Sequence, residues 1–375
     1  MTPPIYSWHP VLTPHQAHTL HGLGEAVGRS VRAIVAKRED DLRRAQGWAA
    51  NDDRLIRPEV LPDTGWRKRI VEILDGDPDA VHLFGSPFER SRVNAALYGA
   101  VKRRRRTFLI SEPYSPKAVA YLADGARLSD RLKAGLRPAL YTLYGRLLRD
   151  RVAGVFAISP LAVEQFVRLG FKVYPFGYFV PDDGVRPDAP TGRALELAYL
   201  GSFIERKGIP TLLEAFESAG VRAAGAKLTL FGPASEAVSQ IDLPNVRYGG
   251  ALPFGKVQSV LAGFDLLVVP SLYDGWAVVV NEAVQAGIAV LPSDAVGAGA
   301  MVSRWGCGEL FETGNADDLA RHICAAAVDA GRLAKWREQA RVLAPMLDPA
   351  VAGAYMGACI RSQIDDTTPP EAPWF

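Results

Sequence analysis

Short runs of apolar residues alternate with longer amphipathic segments along most of the chain. "RAIVA" (32–36), "AVHLFG" (80–85), "RTFLIS" (106–111) and "GVFAIS" (154–159) are too short for helices and almost free of charge. They predict strands covered on both faces. The stretches between them, 90–103 and 129–151 among them, carry apolar residues at helical spacing. Alternation of this kind predicts parallel βα units with helices on both faces of a sheet.

The pattern breaks at "VPDDGVRPDAPTGRALE" (180–196), whose Pro, Asp and Gly mark a linker. It then restarts. Strands are predicted at "LELAYLG" (195–201), "AKLTLFG" (226–232), "NVRYGG" (245–250), "DLLVVPS" (265–271) and "IAVLPS" (288–293). Helices are predicted near 209–219, 253–262, 279–286 and 317–330. The chain therefore divides into two α/β domains, 1–183 and 184–345, with a last amphipathic helix at about 346–364 packing back on the first. The segment 365–375, "DDTTPPEAPWF", is expected to be loose.

A length of 375 residues exceeds one ordinary core and agrees with two domains. Hydrophobic residues make up 48% and charged residues 22%, a globular balance. The net charge of +2 gives no global argument for nucleic acid as a partner. Cys307, Cys324 and Cys359 are odd in number and lack metal-ligand spacing, which suits a reducing compartment. The first residues show no basic segment followed by an apolar one, and no run of 18 apolar residues occurs. These features imply a cytoplasmic location, with peripheral attachment to the inner membrane face left open. The attachment would use the basic run Lys102–Arg106 and the segment 127–151, which sets Arg and Lys among Leu and Tyr. A plain solvated face is the competing reading.

In doubly wound folds ligands sit outside the carboxyl ends of the strands. Most strands of the second half end in small residues there: Gly201, Gly232, Gly249, Ser271 and Ser293. In "YLGSFIERKGIPTLLEAF" (199–216) a strand end is followed by Arg206 and Lys207, a cation pair suited to a diphosphate or else two surface cations. In "SLYDGWAVVVNEAVQAG" (271–287) Asp274 precedes a Gly-containing turn and Glu282 lies inside the next helix. Free amides of Gly275, Trp276 and Ala277 at the helix start would favour an anion. A diphosphate would then lie between that start and Lys207, leaving the two carboxylates for hydroxyls at either end. The alternative makes Asp274 a turn former and Glu282 a helix-dipole partner. No G-x-G-x-x-G or Walker pattern is present. The loop 8–24 gathers His9, His15, His18 and His21 and is read as cleft lining without a convincing metal site.

"YLGSFIERKG", "AKLTLFG", "FDLLVVPSLYDGWAVVVNEAVQAGIAVLPSDAVGA" and "GELFETGNADDLARHI", over 197–323, resemble the donor-binding domain of retaining GT-B glycosyltransferases of family 4. The resemblance implies a GT-B fold, two Rossmann-like domains facing a central cleft. It implies metal-independent transfer of a sugar, with retention, from a nucleotide-sugar to a glycan or lipid-linked glycan. No cofactor is implied beyond the donor itself, a UDP- or GDP-sugar. By the same resemblance Glu282 would hold the ribose, Asp274 the donor sugar, and Lys207 the diphosphate, with Gly201, Ser202, Arg206 and Gly232 lining the donor site. The sequence departs from the family pattern at Asp274, where Glu is usual, at Ser202, where Arg is usual, and at Ala277, where Gly is common. An acidic residue expected after "SDAVG" is also absent. In the first half, Glu112 at the end of "RTFLIS" and His82, read as ending the earlier strand "AVHLFGS", are the candidates for contact with the reacting sugar. Two further readings share the architecture: a sugar-nucleotide epimerase, and a non-catalytic partner subunit.

Overall fold

The computed structural model describes residues 3–38, 53–86, 92–113, 128–186, 194–235, 238, 241–253 and 255–375. Arg127 and positions 187–193 of the linker lie outside the described residues, as do the side chains of Arg131, Lys133 and Arg137.

Two parallel sheets organise the chain. The first contains β1 (Ile5–His9), β2 (Arg32–Val35), β3 (Glu59–Val60), β4 (Val81–Phe84), β5 (Arg106–Ser111), β6 (Gly154–Ile158) and β7 (Val173–Phe176), in the order β3-β2-β1-β4-β5-β6-β7. The second contains β8 (Glu196–Leu200), β9 (Lys227–Phe231), β10 (Val246–Gly250), β11 (Leu266–Val269) and β12 (Ala289–Pro292), in the order β10-β9-β8-β11-β12. Strand order reverses beside β1 in one sheet and beside β8 in the other, so each opens a crevice at its carboxyl edge. Every residue of β1, β4, β6, β11 and β12 is buried. This is why these strands read as continuous apolar runs rather than alternating ones.

Helices cover both sheets. Those that bear on the site are α1 (Pro14–Val27), α2 (Arg92–Lys102), α3 (Leu128–Leu148), α4 (Pro160–Arg168), α5 (Ile209–Glu217), α6 (Val278–Gln285) and α7 (Pro349–Ile364). Pro14 opens α1 at a position that tolerates its missing N–H, and the Gln16 side chain accepts from the Thr13 amide at 3.1 Å. The Asp348 carboxylate does the same for α7, accepting from Ala350 N at 2.7 Å. α1 and α7 cross where both present glycine: a Cβ on Gly353 would strike the backbone of Gly22 and Leu23, and one on Gly22 the backbone of Ala350. A larger residue at either crossing position would force the helices apart.

Three local expectations change. The loop expected over 8–24 is the end of β1 followed by most of α1. Leu20 and Leu23 of α1 pack in the core, and the histidines around them, His15, His18 and His21, hide that periodicity. β7 is not predicted by the apolar pattern, because "VYPF" holds a proline, tolerated here at the sheet edge. The segment 365–375 is anchored rather than loose: Trp374 is fully buried and Ala372 nearly so.

The connecting stretch after β7 is held to the second domain by side-chain amides. Asn281 Nδ2 donates to Tyr178 O at 3.0 Å, Gln285 Nε2 to Val180 O at 2.8 Å, and Gln258 Nε2 to Pro181 O at 2.7 Å. Asn281 and Gln285 stand one turn apart on α6 and so grip carbonyls two residues apart in the connecting stretch.

Candidate active site

The first half of the site lies at the carboxyl edge of β8 and β9. Gly201 and Gly232 follow these strands, and a Cβ on Gly232 would collide with the Gly201 carbonyl. The two strand ends approach this closely only because Gly232 lacks a side chain, while a Cβ on Gly201 would press on the Tyr199 hydroxyl. Ser202 offers its carbonyl to Tyr199 Oη at 2.9 Å. A short 3-10 turn, Glu205–Lys207, then carries the two cations, and Gly208, with φ +68°, leads into α5.

Both cations turn toward the loop after β11. Lys207 Nζ lies 2.6 Å from Asp274 Oδ2, and Arg206 Nη1 donates to Tyr273 O at 2.9 Å while standing 3.9 Å from the same carboxylate. Asp274 Oδ1 accepts from Trp276 N at 3.2 Å. The Trp276 amide is therefore not free for a ligand: the Asp274 carboxylate bridges the lysine and the helix start. The backbone beneath is pinned by Asp274 N to Ala295 O at 3.1 Å and by Gly297 N to Asp274 O at 3.0 Å. The indole of Trp276 points away from this crevice into the core, only 1% exposed, and donates to Asn281 Oδ1 at 2.9 Å. Its side chain is thus structural, and only its backbone borders the site. Ala277 caps α6 with φ +71°, a left-handed conformation that glycine adopts freely and alanine resists. The departure at this position keeps the backbone path at a cost of about 1 kcal/mol.

Glu282 is half-buried on α6, and its carboxylate makes no hydrogen bond or ion pair with any described residue. Burial, with the nearby Asp183 charge second, pushes its carboxyl up to about 8. An unengaged acceptor in a dry setting is suited to hydroxyl donors.

The first domain closes the cleft from the opposite side. Glu112, just past β5, stands against the Asp274 turn: a Cβ on Gly275 would lie 2.8 Å from Glu112 Oε2. Solvent reaches Glu112, yet surrounding protein raises its carboxyl above the ordinary range. A bond from Tyr178 Oη to Glu112 Oε1, 2.8 Å long, works against that rise. The Asp274 charge adds to it, and Arg206 and Lys207 oppose it more weakly. Tyr273 Oη also crosses the cleft, donating to Pro113 O at 3.2 Å.

His82 takes no part in this arrangement. It is the second residue of β4, wholly buried, with its ring stacked on Tyr6 at 5.3 Å and Nδ1 accepting from Trp8 Nε1 at 3.2 Å. Burial lowers its basicity to about 4. The expectation of a cleft histidine there is corrected: β4 is covered on both faces, and position 82 lies inside the strand rather than at its carboxyl end. Of the histidines between 8 and 24, His15 approaches the cleft, its ring edge-on to Tyr178 at 4.8 Å.

Tyr178 and Tyr273 are site residues that the sequence pattern does not reveal. Tyr178 follows "YPFG" in an irregular stretch, and only its neighbour Gly177 signals a close approach. Tyr273 sits beside Asp274 in the turn before α6, but nothing in sequence says that its hydroxyl spans the cleft.

Residues 189–343 match the model of the family "Glycosyl transferases group 1". No curated protein matches the chain by sequence. Among solved structures, the fold is similar to sucrose-phosphate synthase from Thermosynechococcus elongatus, at 15% identity and TM-score 0.69, covering 97% of this chain and 100% of that one. It is also similar to HepE of Anabaena in complex with UDP and glucose, at 14% identity and TM-score 0.65, covering 97% and 100%. A putative UDP-N-acetylglucosamine 2-epimerase from Listeria monocytogenes matches at 14% identity and TM-score 0.57, covering 99% of each chain. The architecture is GT-B. Because it hosts both transfer and epimerisation, the reaction has to be argued from the site.

Proposed function

We propose that this protein is a retaining glycosyltransferase that moves a sugar from a UDP- or GDP-sugar to a glycan or lipid-linked glycan, without a metal ion. The observation that carries the reading is the cluster of Lys207, Arg206, Asp274 and the start of α6, set across a narrow cleft from Glu112. Departure of a nucleoside diphosphate builds negative charge on its terminal phosphate. Lys207 and the amides that open α6 beyond Trp276 would meet that charge, and they are held by the fold before the reaction begins. Asp274 would leave Lys207 to the phosphate and take hydroxyls of the donor sugar, while Glu282 would accept from the ribose. Glu112, held by Tyr178, would contact the reacting sugar or the incoming hydroxyl.

The family match over the donor half and the UDP and glucose bound by HepE support this reading over epimerisation. A thermal-shift screen against UDP-, GDP- and ADP-sugars tests it. One UDP- or GDP-sugar is expected to raise the midpoint by several degrees, since a ligand that binds only the folded state stabilises it. The same donor should release its nucleoside diphosphate only when a glycan acceptor is present. Conversion of the donor sugar without acceptor would mark an epimerase, and no shift with any nucleotide-sugar would leave the fold without this activity.

A membrane-borne acceptor agrees with one surface. Leu136, Leu140, Leu143 and Leu147 fall on one face of α3 and are 61%, 46%, 54% and 59% exposed. Exposed Arg146 and Arg151 flank that row, and Arg149 lies beside it. In the run 102–106 only Lys102 and Arg104 are exposed; Arg103 and Arg105 pair with Asp75, and Arg106 is half-buried. No single helix among the described residues is long and apolar enough to cross a membrane. We therefore assign the leucine row, more than the arginine run, to an anionic lipid surface. Co-sedimentation with phosphatidylglycerol vesicles is expected to fall at least tenfold in a Leu140→Ser, Leu143→Ser variant. Equal recovery with neutral vesicles would remove the assignment.

A further inference from the structure

The cavities, titratable clusters and strained positions outside the cleft lead to one feature that the proposed reaction leaves unused: the segment that follows α7. Its Trp374 ring lies 4.4 Å from Phe179, 5.2 Å from Tyr355 and 5.9 Å from Phe176. Trp305 Nε1 donates to the Trp374 carbonyl at 3.3 Å. One residue on, the Phe375 ring meets Trp276 edge-on at 5.9 Å, and Trp276 also packs against Phe179 at 6.3 Å. Aromatic pairs at these separations add directional attraction to the area they bury. A Cβ on Gly177 would collide with the Trp276 indole, so the connecting strand also lies flat against that ring.

The Trp276 side chain is thus held by residues from three parts of the chain, and its backbone belongs to the turn that carries Asp274. The Trp276 amide is the donor to Asp274 Oδ1, and the Trp276 carbonyl accepts from Ala298 N at 3.0 Å. We infer that Trp374 and Phe375 are positioning residues that fix the Asp274 turn by clamping Trp276 against the connecting strand. The turn contains Gly275 and ends at Ala277 in a strained left-handed conformation, so the packed indole adds a side-chain hold to the backbone bonds that pin Asp274 and Trp276.

The Trp374 indole N–H is buried with no acceptor among the described residues. The ring is therefore retained despite its N–H, packing rather than polar bonding is the working part, and phenylalanine should serve in its place.

Hydrogen–deuterium exchange on the full, ligand-free chain tests the inference without any donor. With Trp374→Ala, amides in 273–280 are expected to exchange at least tenfold faster, while those of β8 and β9 keep the parent rate. Trp374→Phe should restore the parent pattern, and Phe375→Ala, which removes the ring contact to Trp276, should give a smaller rise over the same residues. A uniform rise across β8 to β12 would overturn the inference in favour of plain core packing, as would an unchanged rate in 273–280. If Trp374→Ala does not fold, the Phe375→Ala pattern decides by the same criteria. The functional meaning rests on the donor reading above, and the two fail separately. Faster exchange at the turn with no nucleotide-sugar bound by the parent protein would keep the clamp and discard the donor.

Discussion

Lys207→Ala is expected to lower turnover of the donor found by thermal shift by 10²- to 10³-fold, with a much smaller change in KM. The magnitude is that of removing one fixed charge stabiliser from a sheltered site, where its attraction is strongest in the transition state. Lys207 Nζ sits 2.6 Å from Asp274, and its side chain is only 20% exposed, so the charge is already in place before the donor arrives. Arg206 cannot replace it: its guanidinium is engaged with the Tyr273 carbonyl. The substitution also leaves Asp274, 13% exposed, without its closest counter-charge, which is a separate cost in stability. The double variant Lys207→Ala, Asp274→Asn distinguishes the two effects. It should recover thermal stability and remain inactive. Initial rates of nucleoside diphosphate release give the kinetic answer, and a Lys207→Ala enzyme within threefold of the parent would end the proposed role.

Much of the second-domain side of the cleft is legible in the sequence because its logic is local. Apolar runs mark the strands, and the small residues after them mark the carboxyl edge. The spacing from Asp274 to Glu282 places one acid before α6 and the other inside it. The direction in which those groups engage is not legible. The spacing suggests Lys207 and the helix start facing each other across a gap, whereas the Asp274 carboxylate bridges them. A carboxylate one bond from a turn can reach either partner, and only the tertiary positions of the 3-10 turn and α6 decide between them.

The first-domain side of the cleft is harder for a related reason. Glu112 ends a strand whose apolar run is plain, so its position at the sheet edge follows directly. His82 lies on an equally plain strand, but one position within it decides between cleft and core, and an all-buried strand has no polar alternation to report its faces. The aromatic cluster around Trp276 draws on residues as distant as 176 and 375. No pattern of period two or 3.6 connects them, so the anchoring of the last segment emerges only from packing.

Nucleotide-sugar affinity is expected to rise with pH from 6 to 8 and then level off, through Glu282. Its carboxyl, at an ordinary value of 4.5 when exposed, is pushed up to about 8 by burial in the folded protein. Ribose hydroxyls donate most strongly to the ionised form, so binding near pH 7 must expel a proton. The affinity gain approaches tenfold per pH unit while the free site remains protonated. The donor's diphosphate diester does not titrate in this range, so the proton has to come from the protein. The same burial acts on stability with the opposite trend. Below pH 4.5 the group is protonated in both states and contributes nothing; between 4.5 and 8 the unfolded chain ionises while the folded one holds its proton, so stability falls as pH rises. Each pH unit across that interval costs about 1.4 kcal/mol at most, and solvent access to the half-buried group lowers the total at pH 8 to about 2–4 kcal/mol. Glu282→Gln should therefore raise the melting midpoint at pH 8 by several degrees but not at pH 4.5, and should make nucleotide-sugar binding weak and independent of pH. Calorimetric titration in buffers of different ionisation heat measures the released proton directly. A parent protein that releases none at pH 7, or a Glu282→Gln variant that releases as many, would show that this carboxyl does not receive the ribose.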